Sequence, residues 1–289
     1  MAVPKLSIRH IIQLCAFLVL LGRAYQFYFF GAPFRSILWD ESLLSPIVEG
    51  IFGTPWNDYA TSPAVNSWIG VFTKFSAGIL FLASIISLFW GKISFLKLKK
   101  TILFLAVIIL FFLYACMVKD KNYDLLQLFE QSIQMASPLL LLTFRKESFW
   151  KSVHLDFWLK IAFALTFIPH GLFAMGIPYA PGNFIDMTIT ILGVSETTAR
   201  QFLFIVGFID IVASFALFVP GLIRYSLIYM VIWGILTAFA RIVAGFDSEF
   251  LLSSMNNHIY LTVYRLPHGL LPLGSLLYFH RKSYLGRHD

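Results

Sequence analysis

Apolar runs long enough to cross a bilayer recur along this chain. A membrane-crossing helix needs about 20 apolar residues. The windows of this kind lie at residues 10–31, 67–90, 101–118, 124–144, 157–177, 201–221, 224–243 and 256–280. The pattern predicts an all-α integral membrane protein with eight transmembrane helices.

The last window carries ionisable residues on a single helix face. Steps of three and four residues place five side chains on that face, namely His258, Leu261, Arg265, His268 and Pro272. Ionisable groups inside a membrane are costly, so they mark candidate functional positions. The two prolines of this window, at 267 and 272, also predict a kink beside His268.

The fourth window repeats this polar stripe at a constant offset. A shift of 134 residues superposes the two sets, and the earlier set is Asp124, Gln127, Gln131, Gln134 and Pro138. Two predicted helices in different halves of the chain therefore present polar faces of one design.

A second similarity links the connections after the first and the fifth windows. Each contains a short apolar segment, SPIVEGIFGT at 45–54 and DMTITILGVS at 186–195, in which Gly53 and Gly193 can be superposed. Segments of this length cannot span a bilayer, so we expect them to lie at the interface or to dip in as a lid. An ordinary surface loop is the alternative.

These similarities predict a tandem duplication with units at residues 1–150 and 151–289. Each unit reads as one span, an interfacial segment and three further spans. Because four crossings is an even number, the two four-helix repeats are predicted to be parallel rather than inverted.

Basic residues are concentrated in alternate connections, which predicts both termini on the cytoplasmic side. The basic set is Lys5, Arg9, Lys92, Lys97, Lys99, Lys100, Arg145, Lys146, Lys151, Arg224, Arg281, Lys282 and Arg287. The intervening connections are mixed or acidic. We expect a multi-pass protein of the bacterial cytoplasmic (inner) membrane.

Composition supports a membrane protein and argues against several other classes. Only 13% of the residues are charged and 58% are hydrophobic, whereas soluble domains contain about 25% charged residues. The net charge of +7 follows from the basic connections, and no nucleic-acid motif is present. We predict no metal site, because His258 and His268 are nearly three turns apart and no HxxxH or HExxH occurs.

Residues 167–221 resemble a known membrane family. The stretches FIPHGLFAMGIPYAPGNFIDM, ILGVS and GFIDIVASFALFVPG look like the DoxX-like superfamily. That superfamily includes the DoxX and DoxD membrane proteins of sulfur and redox metabolism and, more distantly, the horizontally transferred transmembrane domain of vitamin K-dependent carboxylase. The resemblance implies a four-helix unit and a redox-associated role. Carboxylase-type proteins carry a large soluble domain after the membrane part, so carboxylase activity is not expected of a chain ending at Asp289.

Intramembrane polar residues are skewed toward the non-cytoplasmic halves of the predicted spans, while the inner halves hold almost none. This skew predicts a cavity open to the non-cytoplasmic side. The candidate ligand-binding residues are Arg23, Lys74, Glu130, Gln131, Gln134, His170, Asp210, Arg241, His258, Arg265 and His268. The structural alternative is pairing within the bundle, of Arg23 with Glu130 and of Asp210 with Arg265 or His170.

Two functional hypotheses follow. The first is a redox-associated membrane protein that binds a quinone or another small acidic or lipidic ligand, with Arg265, His268 and His170 as donors. The second is a non-enzymatic membrane subunit or scaffold with a membrane or periplasmic protein partner. Membrane lipid is the expected surrounding in both cases, and the sequence does not decide whether the protein is an enzyme.

Overall fold

The computed structural model describes residues 7–143 and 153–279, which fold entirely into helices and their connections. Fourteen helices lie within these ranges: α1 (Ile8–Phe29), α2 (Arg35–Leu38), α3 (Glu41–Val48), α4 (Trp56–Thr61), α5 (Pro63–Leu88), α6 (Leu96–Asp120), α7 (Leu126–Phe129), α8 (Ser132–Thr143), α9 (Val153–Met175), α10 (Gly182–Leu192), α11 (Glu196–Ala216), α12 (Ile223–Ala244), α13 (Leu251–Arg265) and α14 (Pro267–Phe279).

Six of these helices are long and apolar enough to cross a membrane, which confirms the prediction of a multi-pass helical membrane protein. They are α1, α5, α6, α9, α11 and α12. Their outward faces carry large apolar side chains, such as Phe204, Phe208 and Phe215 on α11, each at least 50% exposed. In water such faces would be unfavourable, but against lipid tails they need no further cover.

The fourth and eighth predicted windows are each divided into two shorter helices. In the second case α13 ends at Arg265 and α14 begins at Pro267, because proline lacks an N–H and its ring excludes the carbonyl four residues earlier. In the first case α7 ends at Phe129, and the backbone N–H of Ile133 near the start of α8 donates to Thr166 Oγ1 of α9 at 3.0 Å. Neither polar stripe therefore lies on one continuous helix.

Helices α1 and α9 occupy the interior of the bundle. The buried face of α1 includes Ile12, Cys15, Ala16, Val19 and Leu20, all fully inaccessible. Helix α1 packs mainly against α5, and α9 packs mainly against α11, while α8 and α14 each contact both interior helices. The two broken segments thus lie between α1 and α9, and the polar residues at the breaks meet inside the protein.

The connection between α1 and α5 is held to the end of α6 by Asp40. Its Oδ1 accepts from the backbone N–H of Leu43 at 3.0 Å, capping α3, and its Oδ2 pairs with Lys119 Nζ at 2.6 Å. The hydrogen bond from Lys119 is the largest cause that lowers the pKa of Asp40 from 3.8 to about 2. Because that pKa is lowered, the contribution to stability is present above pH 3.8 and is lost as the pH falls toward 2.

Buried polar contacts also occur at the opposite ends of the helices. Lys160 Nζ lies 2.7 Å from Asp156 Oδ2, and Ser275 Oγ of α14 donates to Asp156 Oδ1 at 3.0 Å. Lys99 Nζ donates to the carbonyl oxygens of Trp90 at 2.8 Å and Ile93 at 2.7 Å. Lys99 and Asp156 lie just outside the predicted spans 101–118 and 157–177, and pairing and capping offset the cost of burying these groups.

Helices α9 and α11 approach each other most closely at two facing glycines. A Cβ atom on Gly207 would lie 2.5 Å from the carbonyl oxygen of Gly171, and a Cβ on Gly171 would lie 2.5 Å from that of Gly207. Small residues at such contacts let backbones approach, and in membranes this packing replaces the hydrophobic driving force between helices. The crossing holds α9 and α11 together beside the cavity described below.

We predict that Gly207→Ala lowers the melting temperature of the detergent-purified protein by several degrees. The new Cβ would lie 2.5 Å from the carbonyl oxygen of Gly171, and relieving this clash requires the backbone of α9 to shift. The matched control is Gly78→Ala in the middle of α5, where a Cβ meets nothing within 4 Å. That control should be neutral or slightly stabilising, since alanine favours a helix over glycine by about 1 kcal/mol. Equal melting temperatures for the two variants would contradict the close crossing.

Candidate functional site

A cavity of about 350 Å³ lies between α10, α11 and α12, with α9 and α13 closing its inner end. Most of its wall is apolar. The lining side chains from these helices are Ala174, Phe184, Met187, Thr188, Ile191, Leu192, Phe202, Leu203, Trp233, Leu236, Thr237, Phe239, Ala240 and Val243, together with three that carry or can carry charge, His170, Arg241 and Arg265.

The three ionisable groups reach the cavity from three helices. His170 comes from α9, Arg241 from the last turn of α12 and Arg265 from the last residue of α13. Arg265 thus reaches the cavity from the point where α13 ends, directly before the break at Pro267. The sequence analysis placed all three in one outer layer, and the structure brings them together.

Glu130 supplies the carboxylate of this cluster, from the other half of the chain. Its Oε1 lies 3.3 Å from His170 Nδ1 and 3.7 Å from Arg265 Nη2, and the side chain is buried. Glu130 directly follows α7, at the break before α8, which lets its side chain extend toward α9 and α13. The structural alternative paired Asp210 with Arg265 or His170, but both of these residues instead lie beside Glu130 of the other half of the chain.

Arg241 has no such partner. It is 9% exposed, and no hydrogen bond or ion pair to its guanidinium is found in the ranges 7–143 and 153–279. The Nε of Arg265 is also buried without an acceptor. An unpaired buried cation is costly, so these two arginines are the strongest indication of a ligand in the molecule.

Arg23 forms a separate layer behind the cavity wall. Its guanidinium donates to Gln134 Oε1 at 2.9 Å and 3.2 Å, to Gln131 Oε1 at 3.2 Å and to Gln26 Oε1 at 2.8 Å. The same group lies 3.8 Å from the ring centroid of Tyr264, a cation–π contact. The predicted ion pair between Arg23 and Glu130 is not formed, because three glutamine side chains satisfy Arg23 instead.

Two further candidates sit beside the cluster without lining the cavity. His268 is buried, and its Nδ1–H donates to the backbone carbonyl of Arg265 at 2.8 Å, which stabilises the broken turn. Asp210 is fully buried on α11, where the Tyr229 hydroxyl donates to its Oδ1 at 2.7 Å. Asp210 therefore pairs with Tyr229 rather than with the predicted Arg265 or His170, and the sequence analysis did not single out that tyrosine.

The remaining two candidates lie elsewhere. Lys74 is exposed on the outer face of α5. His258 packs against Gly245 at the connection between α12 and α13, and its Nδ1–H donates to the Ser254 carbonyl at 2.8 Å. Neither residue lines the cavity. His258 was a candidate because of its spacing along the predicted helix, and Lys74 because of its position in the outer part of a predicted span.

The sequence analysis missed the polar face of α12. Tyr229, Trp233, Thr237 and Arg241 follow one another at steps of four, so they share one side of the helix. The last three line the cavity and Tyr229 binds Asp210. The four-residue spacing is present in the sequence, but the segment is so apolar on average that its polar face was overlooked.

The part of the chain that the structure describes contains no group of three or more His, Cys, Asp or Glu side chains placed to hold a metal ion. Both cysteines, Cys15 and Cys116, are buried and free. Comparison of the chain with protein-family models, with curated proteins and with solved structures finds no match.

Charge decides what the arrangement can bind. The lining of the cavity contains two arginines, Arg241 and Arg265, and no carboxylate. Among the described residues, Glu130 is the one carboxylate within 4 Å of either guanidinium group, and it reaches only Arg265. The cavity therefore combines an apolar wall with an end that favours an anion.

We predict that Glu130→Gln lowers the melting temperature markedly, because it removes the carboxylate beside Arg265 and leaves that cation buried without a counter-charge. Breaking a buried pair from one side costs about 3–5 kcal/mol. The double variant with Arg265→Gln should recover part of the loss, since it removes the unpaired cation as well.

The control for this series is Glu196→Gln, which removes the carboxylate of the exposed Glu196–Arg200 pair and should change stability little. Thermal unfolding in neutral detergent measures these variants together with the single variant Arg265→Gln, which completes the cycle. A double variant whose loss equals the sum of the two single losses would show that Glu130 and Arg265 do not interact.

Proposed function

We propose that this membrane protein binds an acidic amphiphile, whose anionic head contacts Arg241 and Arg265 and whose apolar part fills the α10–α12 cavity. One observation carries the proposal. Arg241 is a buried guanidinium at the polar end of an apolar cavity, with no acceptor in the described protein. A carboxylate or phosphate oxygen would satisfy it with charge-assisted hydrogen bonds.

An acidic head accounts for the site better than a quinone head does. A quinone oxygen can accept a hydrogen bond, but a neutral ligand leaves the excess of buried positive charge unchanged. Structural pairing alone leaves Arg241 unexplained, since pairing would require a partner on the protein. The redox association implied by the DoxX-like resemblance stays a prediction that rests on residues 167–221.

The cavity would lie in the non-cytoplasmic half of the membrane if the chain crosses the membrane eight times with both termini in the cytoplasm. In this arrangement α7–α8 and α13–α14 are two broken crossings added to the six long helices. Because they lie between α1 and α9, they are more consistent with membrane crossings than with segments on the membrane surface. Broken helices at membrane depth are tolerated where protein or a cavity surrounds them.

Several features support a duplicated origin of the two halves. The helix breaks fall at Gln131 and at Leu266, one residue from the 134-residue offset. Gly53 and Gly193 both adopt a φ of +64°, and the glycines that follow α1 and α9 have φ values of +82° and +84°. Side chains other than glycine rarely adopt this left-handed conformation, so equivalent turns in the two halves require the same residue type.

The topology can be tested by reporter fusion. Alkaline phosphatase fused after Asp58 or Glu196 should be active, because both lie in connections that the positive-inside pattern assigns to the periplasm. Fusions after Lys92 or Arg224 should be inactive for the opposite reason. Activity of the second pair, or inactivity of the first, would overturn the orientation and the proposed side of the cavity.

We predict that Arg241→Gln weakens the binding of an acidic amphiphile at least tenfold. The lost contact is a charge-assisted hydrogen bond, worth about 1.5–3 kcal/mol, and 1.4 kcal/mol corresponds to a factor of ten. Oleate is a suitable probe, added to protein in neutral maltoside detergent and followed by its stabilisation of the fold.

The matched control is Arg200→Gln, which changes an exposed arginine paired with Glu196 near the start of α11. It should leave oleate binding unchanged, and oleyl alcohol should bind the wild type no better than it binds Arg241→Gln. Equal oleate affinity of the wild type and Arg241→Gln would refute the proposed role of the cavity.

A further inference from the structure

The cavity is sealed toward the outer end of the bundle by a small hydrophobic cluster. Phe173, Phe184, Ile185, Ala199 and Leu203 are all at most 7% exposed and pack together where α10 lies over α9 and α11. The Phe184 ring centroid also lies 5.0 Å from that of His170, so α10 covers the polar end directly. A water-soluble ligand that approached Arg241 from the α9–α11 side would have to break this cluster.

The opposite wall of the cavity is open sideways. Lining residues on α10 and α12 are also exposed on the outer surface of the bundle: Ile191 40%, Leu192 49%, Leu236 55%, Phe239 46% and Val243 56%. Leu236, Phe239 and Val243 lie within a helix that is long and apolar enough to cross the membrane. The mouth therefore faces lipid, between α10 and α12.

The cavity is also too small to enclose a whole long-chain amphiphile. At about 350 Å³ it lies near the lower end of the range of roughly 300–1,000 Å³ that is usual for small-molecule sites. A long-chain amphiphile bound at Arg241 would extend through the mouth, and the part outside would lie among lipid tails. A lipid of the bilayer can bind in this way while the rest of its chain stays among the surrounding lipid tails.

We propose that the ligand is an acidic lipid of the surrounding bilayer, which enters laterally between α10 and α12 and places its anionic head on Arg241 and Arg265. This inference rests on the proposed function and narrows its ligand class. The site offers two guanidinium groups to the lipid head, and in the part of the chain that the structure describes Arg265 has a carboxylate within 4 Å and Arg241 has none. Helix α10 acts as the cover that separates the head from water.

Trp233 lines the cavity and offers a direct readout. The protein is reconstituted in nanodiscs of phosphatidylcholine that contain a few mole per cent of phosphatidate with brominated chains, which quench nearby tryptophan fluorescence. The fluorescence of Trp233 is obtained by subtracting the fluorescence of the Trp233→Phe derivative from that of each protein. We expect saturable quenching by brominated phosphatidate, about tenfold weaker apparent affinity in Arg241→Gln and no change in Arg200→Gln.

Two further arms distinguish the possible failures. Hexyl phosphate, which is soluble in water, should compete with the brominated phosphatidate only weakly. If it binds as tightly as the lipid and still depends on Arg241, the lipid source and the lateral route are wrong while the acidic-ligand function stands. If brominated phosphatidylcholine quenches Trp233 as well as phosphatidate does, or if no probe depends on Arg241, the inference and the proposed function both fail.

Discussion

The buried carboxylate of Glu130 is the interaction on which the site depends. It lies 3.3 Å from His170 and 3.7 Å from Arg265, and so it joins a residue after α7 to α9 and to α13. Without it, the arginines of the interior would repel one another in a medium that screens charge poorly. With it, the repulsion is reduced but positive charge remains in excess, which is the property that a ligand head can use.

Two helix breaks place the charged groups around that carboxylate. Glu130 and Arg265 each occupy the end of a helix that stops inside the bundle, at α7 and at α13. A continuous helix would direct successive side chains around its whole circumference. At a break, the side chains of one turn no longer follow this helical periodicity. The backbone groups exposed there form hydrogen bonds with neighbouring helices, as the Ile133 N–H does with Thr166. This irregularity is tolerated because the surrounding helices exclude lipid.

The two halves share a pattern but differ at the cavity. Position 131 is a glutamine whose side chain accepts from Arg23, whereas the corresponding position 265 is an arginine that lines the cavity. Segment 45–54 carries Ile51 and Phe52, both 73% exposed, while the corresponding Ile191 and Leu192 help to line the mouth. One half thus supplies the neutral support for Arg23, and the other supplies the opening and the charged end.

Hydropathy by itself determined that the chain is a helical membrane protein, because burial in lipid imposes length and apolarity on every crossing segment. It also singled out Arg241, Arg265, His170 and Glu130 as candidates, since ionisable groups are rare inside a membrane. Pairing was decided only by the tertiary structure. Spacing along one helix cannot show that Arg265 meets Glu130 rather than Asp210, that Arg23 is satisfied by glutamines, or that Lys74 faces outward. Those outcomes depend on where two breaks and one close crossing place α8, α9 and α13 relative to one another, and such long-range packing leaves no periodic signal in the chain.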